Sequence, residues 1–157
     1  MRLSNTESVT VPAARAAVFK HAFDLEQMPK LLRGWGPVPG VERVELLAGG
    51  EYAVGKVRRI FNTDGSSLDE EILIYDPPSA HSYRLYGEFQ GLAKLLVCEG
   101  RGDWEFVALG PSETEVRWRY EFTLTSALAA PVGLIMMKIA FANMQRGTLK
   151  RLRAGFA

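Results

Sequence analysis

Cysteine is nearly absent: Cys98 is the single one in 157 residues, which excludes an internal disulfide and a cysteine-clustered metal site. Cys98 sits in an apolar, strand-like run, so a buried thiol is expected. Histidine is almost as scarce. His21 and His81 are far apart, and nothing places either beside a serine or cysteine as a nucleophile and its base require; both are expected at surface or edge positions. An excess of one charge is lacking as well, since the formal net charge is +1, and this removes the electrostatic ground for nucleic acid as a partner. No apolar run reaches the ~20 residues of a bilayer span. The longest, Ala127 to Met137, is followed by Lys138, Asn143 and Gln145, so no transmembrane segment is expected. The N-terminal MRLSNTESVTVP lacks the apolar core of a signal peptide, which makes the cytoplasm the expected location. No metal-ligand cluster, phosphate-binding glycine loop or nucleophile elbow is present. The sequence therefore implies no metal and no cofactor, and identifies no catalytic residue.

What is present is the composition of a globular protein, 47% hydrophobic and 24% charged, at a length that suits one domain over residues 1–157 with a sizeable core. Its most distinctive stretch is ALAAPVGLIMMKIAFANMQRGTLKRLRA, from Ala127 to Ala154. The spacing predicts one long helix, with Ser126 as N-cap, Pro131 within the first turn, and Arg146, Lys150, Arg151 and Arg153 at the carbonyl end of the dipole. The first half is apolar nearly all round, the pattern of a helix buried on most of its surface. Leu128, Val132, Ile135 and Ile139 form one apolar row. Continuing that row reaches Arg146, Lys150 and Arg153, while the apolar positions move to Ala142, Leu149, Leu152 and Phe156; Gly147 stands near this change of face and permits a bend there.

Before that helix the chain reads as one strand, Leu3 to Val11, ended by Pro12, then AARAAVFKHAFD as a helix and LEQMPKLL as a second short one capped by Asp24. Gly34, Gly36, Pro37, Pro39 and Gly40 make an irregular loop carrying Trp35. From Val41 the period becomes that of strands: VERVELLA, GKVRRIF, the Asp64-Gly65 turn, SLDEEILIY, the Asp76-Pro77-Pro78 stop, HSYRLYGEF and LAKLLVC. Alternation is strongest at the end, where Trp104 and Phe106, then Val116, Trp118, Tyr120, Phe122 and Leu124, share one face against Arg117, Arg119 and Glu121 on the other. About six hairpin-linked strands in succession make an antiparallel meander that needs one cover, which the last helix supplies. The fold class is α+β.

VPAARAAVF after the first strand, VERVELL with Gly49-Gly50, GKVRRI before Asp64-Gly65, EEILIYDPP, and TEVRWRYEF before the long helix together give a resemblance to a known group. Over nearly its whole length the chain resembles the START/Bet v 1-like (SRPBCC) superfamily, and within it the bacterial polyketide cyclase/dehydrase-type proteins. The resemblance implies a helix-grip fold, a curved sheet of about seven antiparallel strands wrapped round the C-terminal helix, with two short helices closing one end of a cavity. It also implies an apolar or amphipathic small-molecule ligand, and in a minority of members catalysis of cyclisation or hydrolysis.

Within that frame Trp104, Phe106, Trp118, Tyr120 and Phe122 are either plain core or cavity wall, with Met136, Ile139, Ala140 and Asn143 opposite on the helix. Asn143 is a candidate hydrogen-bond partner for a ligand carbonyl or hydroxyl, or for a neighbouring group of the chain. Arg58 and Glu70 point inward if Ile60, Ile72 and Ile74 do; the mixed alternation of GKVRRIF and SLDEEILIY leaves this open against Arg59 with Glu71. An inward pair would be an ion pair or a polar anchor for ligand. Trp35 is a candidate lid. Three functions fit: a binder or carrier of a lipid, polyketide or aromatic ring compound; a cyclase or aromatase acting in the same cavity; or an interaction protein whose cavity its own rings fill. Monomer and homodimer stay equally open.

Overall fold

Alternation of apolar and polar residues at period two is what lets one face of a strand bury while the other stays wet, and this chain uses it to build one curved antiparallel sheet. The computed structural model describes residues 1–86 and 89–157. Strands β1 (Arg2–Val11), β2 (Val41–Leu46), β3 (Val57–Asn62), β4 (Ser67–Asp76), β5 (Ala80–Tyr86), β6 (Val97–Gly110) and β7 (Glu113–Leu124) lie in the order β1-β7-β6-β5-β4-β3-β2. Strands β2 to β7 each pair with the next in sequence, and β1 returns to pair with β7 from Arg2↔Thr123 to Val11↔Thr114. Helices α1 (Arg15–Ala22) and α2 (Met28–Leu31) follow β1, α3 (Leu92–Leu96) joins β5 to β6, and the C-terminal helix runs from Ala127 to Ala154. The expected helix-grip architecture is present. The expected continuation of β5 into Gly87 and Glu88 lies outside the described residues.

On β7, Val116, Trp118, Tyr120, Phe122 and Leu124 are buried while Arg117 and Arg119 are exposed, as the alternation predicts. Three expectations fail on the neighbouring strands. LAKLLVC does not run as a strand: Leu92–Leu96 is a short helix, and β6 begins only at Val97. Cys98 is exposed rather than buried; the register shifts between Val97 and Glu99, and a bulge of this kind turns one residue to the opposite face. A second shift, between Ile72 and Ile74, does the same to Ile74, which is 41% exposed although Ile60 and Ile72 point inward. Period-two reasoning carries across a strand only until a bulge resets it.

The C-terminal helix is not uniform. It opens with a 3-10 turn at Ala127–Ala129, continues as α-helix over Ala130–Ile135 with Pro131 in the first turn, widens to a π-helix at Met136–Phe141, and returns to α-helix over Ala142–Ala154. Ser126 is extended, as a cap should be, but its carbonyl, not its hydroxyl, holds the turn by accepting the Ala129 N–H at 3.2 Å. The predicted change of face is real. It occurs at the π segment and not at Gly147, because each π turn holds more residues than an α turn and rotates everything downstream.

Downstream of that segment Ala142, Met144, Gln145, Thr148, Leu149 and Leu152 are buried. Gln145 donates to the Trp118 carbonyl at 2.9 Å and accepts from Asn5 at 3.0 Å, while Arg151 donates to the Leu31 carbonyl at 2.7 Å. Upstream, the expectation of burial on most sides is wrong: Leu128 is 91% exposed, Ile135 61% and Ile139 50%, and only the thin side made by Ala129, Gly133, Met137 and Ala140 is buried. This helix is long and apolar enough in composition to cross a membrane; in this fold it is the core helix that the sheet wraps.

Candidate functional site

Because the upstream half of the C-terminal helix stands away from the sheet, a cavity of about 600 Å³ opens between them. Its sheet wall is Tyr83, Leu85, Trp118, Tyr120 and Phe122, and its helix wall is Val132, Ile135, Met136, Ile139, Ala140 and Phe141. Trp35, Val38 and Phe89 add to the lining. Two glycines make room for the rings of the sheet wall. Gly100 and Gly102 occupy inward positions of β6, where Trp104 and Phe106 continue the same face. A Cβ on Gly102 would overlap the Tyr83 ring, and one on Gly100 would press on Phe122 at 3.1 Å and Leu85 at 3.2 Å, so β6 yields its own side-chain space to rings from β5 and β7. Trp35 is carried by a tight loop in which its N–H and carbonyl both pair with Val38, at 2.9 Å each. Gly34, at φ +77°, makes the turn where a side chain would strike the Val38–Gly40 backbone.

At the closed end, on the side of α1 and α2, lies a buried polar cluster. Arg58 is 2% exposed and Glu70 7%; their strands pair them directly, and Nε of Arg58 donates to Oε2 of Glu70 at 2.6 Å. The inward parity is thus Arg58 with Glu70, while Arg59 pairs with Asp69 at 2.8 Å on the other face. Arg58 also donates to the Tyr52 hydroxyl at 2.6 Å and lies over the Tyr83 ring at 4.9 Å. The Tyr52 hydroxyl is also hydrogen-bonded to Nε2 of His81, 2.8 Å away. The other ring nitrogen of His81, Nδ1, has no hydrogen-bond partner among the described residues. His81 is fully buried, stacked on Phe23 at 4.2 Å between ring centroids, contrary to the expected surface or edge position.

Burial sets the protonation of this cluster. It lowers His81 to about 2, with the Arg58 charge adding to the effect; it pushes Tyr52 up to about 12 against the pull of Arg58, and it raises Tyr83 and Tyr120. The imidazole and the phenols are therefore neutral at ordinary pH. Burial also raises Glu70, opposed by Arg58. For Arg58 burial works against the charge, and Glu70 with the two tyrosines more than restores it.

Of the residues singled out in the sequence, Glu70, Trp118, Tyr120, Phe122, Met136, Ile139 and Trp35 meet at the cavity, and Arg58 stands directly behind Glu70. Trp104 does not line this cavity; it borders a narrow gap of about 40 Å³ next to it and stacks on Trp118 at 4.4 Å. Phe106 is core, packed on Phe19 at 5.0 Å. Asn143 is turned away: past the π segment its side chain donates to the Ile139 carbonyl at 2.8 Å and does not line the cavity. Tyr52, His81 and Tyr83 were missed. Tyr52 lies outside the regular strands, where no periodicity says which way it points; the one sequence signal for Tyr83 is its place in the alternating HSYRLY. A broad depression of about 700 Å³ also lies on the outer face of the sheet. Its rim is Arg101, Asp103, Glu105, Arg117, Arg119 and Glu121, already joined in ion pairs, so it lacks the apolar walls of a small-molecule site.

A family model described as polyketide cyclase / dehydrase and lipid transport matches residues 2–157. The chain belongs to this polyketide cyclase/dehydrase and lipid transport family. Solved structures agree with the family's fold. The structure titled Ara h 8.0201 superposes with a TM-score of 0.74 at 16% identity, over 99% of this chain and 98% of that one. The Zhui aromatase/cyclase from Streptomyces sp. R1128 gives 0.73 at 17% identity, over 99% and 93%. A norcoclaurine synthase from Thalictrum flavum gives 0.71 at 13% identity, over 99% and 94%. At these identities the likeness establishes the Bet v 1-like fold alone. Among curated proteins, none matches this sequence closely enough to add an assignment.

Proposed function

We propose that the protein binds or carries an apolar or amphipathic small molecule, such as a lipid, a polyketide or an aromatic ring compound, in the cavity between sheet and C-terminal helix. It does so as a single cytoplasmic domain over residues 1–157, without metal or cofactor. The observation that carries this reading is the cavity itself: about 600 Å³ falls in the ~300–1,000 Å³ range of small-molecule sites, and its walls are largely apolar. Burying apolar ligand surface there would supply affinity at roughly 25 cal/mol per Å². The family description, which names lipid transport beside cyclase and dehydrase, points the same way. A cavity filled by its own rings is disfavoured by that volume. The deciding experiment compares the intact folded mass of protein taken gently from its source with its denatured mass. An added mass that leaves on denaturation is the expected result; its absence, together with failure to bind an apolar fluorescent dye, would sink the reading.

One observation favours the second reading, a cyclase-type enzyme in the same cavity. Glu70 lines the cavity with a carboxyl whose pKa burial raises, the condition under which a carboxyl serves as general acid or base near neutrality. The two readings part at Glu70→Gln. Turnover of a bound candidate substrate by the unaltered protein that Glu70→Gln abolishes means enzyme, and binding without turnover by the unaltered protein means carrier.

A further inference from the structure

The charges at the cavity are one-sided. Among its described lining residues the charged side chains are Glu70 within and Asp64 at the mouth, both acidic, and the lining contains no lysine, arginine or histidine. The nearest buried cation, Arg58, is committed: its Nε goes to Glu70 and its Nη1 to the Tyr52 hydroxyl, with the Met28 sulfur at 3.6 Å. Glu70 is only half committed. Oε2 takes the Arg58 hydrogen bond, and Oε1 accepts none from the described residues. The residue is more than nine-tenths buried and borders both the main cavity and the narrow gap beside it.

Oε1 is not shut away like the unpartnered Nδ1 of His81 or Nε1 of Trp118; it is open to the cavity that Glu70 lines, and a charged acceptor there gains from any donor a ligand brings. A ligand hydroxyl reaching the inner wall supplies the missing donor. A ligand carboxylate does the reverse, bringing a second negative charge to Glu70 with no free cation to offset it. An ether or a bare hydrocarbon gains the apolar walls alone.

We propose that the cavity selects uncharged ligands whose inner end carries a hydroxyl, phenolic, enolic or alcoholic, donated to Oε1 of Glu70, and rejects the same skeleton carried as a carboxylate. This rests on the binding reading above. It makes Glu70 a specificity-determining residue, and it separates neutral hydroxylated ring compounds from free fatty acids and other organic acids as ligand classes.

The test is a fluorescence titration at pH 7 with three probes of one skeleton: 1-hydroxypyrene, 1-methoxypyrene and 1-pyrenecarboxylate. The hydroxyl probe is expected to bind at least about tenfold tighter than the methoxy probe, the scale of a hydrogen bond to a charged group, and the carboxylate weakest of the three. Glu70→Gln uncovers the Arg58 charge, so the carboxylate is expected to gain about tenfold or more while the hydroxyl probe loses affinity. Where that variant does not fold, Arg58→Met with Glu70→Leu removes both charges, and the preference for the hydroxyl probe should collapse to within a few-fold. Equal binding of all three probes to the unaltered protein, or carboxylate binding as tight as hydroxyl, overturns the selectivity and leaves the cavity reading standing. Binding of none of the three overturns both.

Discussion

The two halves of the C-terminal helix differ in composition and in use: from Ala127 to Phe141 every residue but Gly133 and Lys138 is apolar, whereas from Ala142 to Ala154 only Ala142, Met144, Leu149, Leu152 and Ala154 are. From Ala142 to Ala154 the helix is amphipathic, and its apolar side is driven into β1 and β7: Leu149 and Leu152 are almost wholly buried, Gln145 caps a carbonyl of β7, and Arg146 reaches Glu7 on β1. From Ala127 to Phe141 the large side chains Leu128, Val132, Leu134, Ile135 and Ile139 remain exposed, and the side that touches the fold is made of alanine, glycine and methionine. One half closes the fold. The other forms one wall of the cavity, and that difference leaves an apolar surface that the protein itself does not cover.

The largest expected effect is therefore at the closing half. Leu152→Ala should cost about 2–5 kcal/mol, the range for emptying a core leucine site, read as a fall in the urea midpoint; Ile135→Ala, on the open half, should stay within about 0.5 kcal/mol of the parent. Equal losses at both positions would show that the halves do not differ. Next comes Gln145→Leu, which strips a hydrogen bond from the Trp118 carbonyl and from Asn5 and should cost about 1–3 kcal/mol by the same measurement.

The closed end of the cavity should also respond to pH. His81 has a folded pKa near 2 against a model-peptide value of 6.5, so below pH 6.5 the unfolded chain takes up a proton that the folded one refuses. Stability from this residue is present above 6.5 and falls by about 1.4 kcal/mol per pH unit as the pH drops towards the folded value. The raised Glu70 acts in the other direction, its contribution present below its unfolded pKa of 4.5 and lost as pH rises through the folded value. Comparing the parent with His81→Phe leaves the Glu70 part in both proteins, so the difference in slope between pH 6.5 and 5 isolates the histidine. Identical slopes would mean that His81 titrates freely. The smallest effect on stability and the clearest on binding belongs to Ile139→Ala: a change of under about 0.5 kcal/mol in folding, with apolar dye binding weakened roughly fivefold through lost buried area.

Much of the scaffold was legible because it depends on short-range periodicity. The alternation of β7 shows which of its rings turn inward, Pro131 places the first turn of the helix, and the migration of apolar positions to Ala142, Leu149 and Leu152 describes the closing half correctly. The candidate site was legible in part. Trp118, Tyr120 and Phe122 follow from alternation, whereas Arg58 with Glu70 needed the β3–β4 register to separate them from Arg59 with Glu71. Cys98 and Ile74 were misplaced by bulges, which leave no mark in a hydrophobic pattern, and Asn143 by the π segment, which changes the helical phase within a run that reads as ordinary helix.

The sequence by itself determined the α+β class, the order of elements, the superfamily resemblance and the inward face of the last strand, since each follows from local spacing along the chain. Only the tertiary structure decided that the first half of the C-terminal helix stands off the sheet, that Gly102 makes way for Tyr83, that His81 and Tyr52 join Arg58 and Glu70, and that Arg58 holds Oε2 of Glu70. Those facts depend on distances between residues far apart in sequence, and packing, not periodicity, sets such distances.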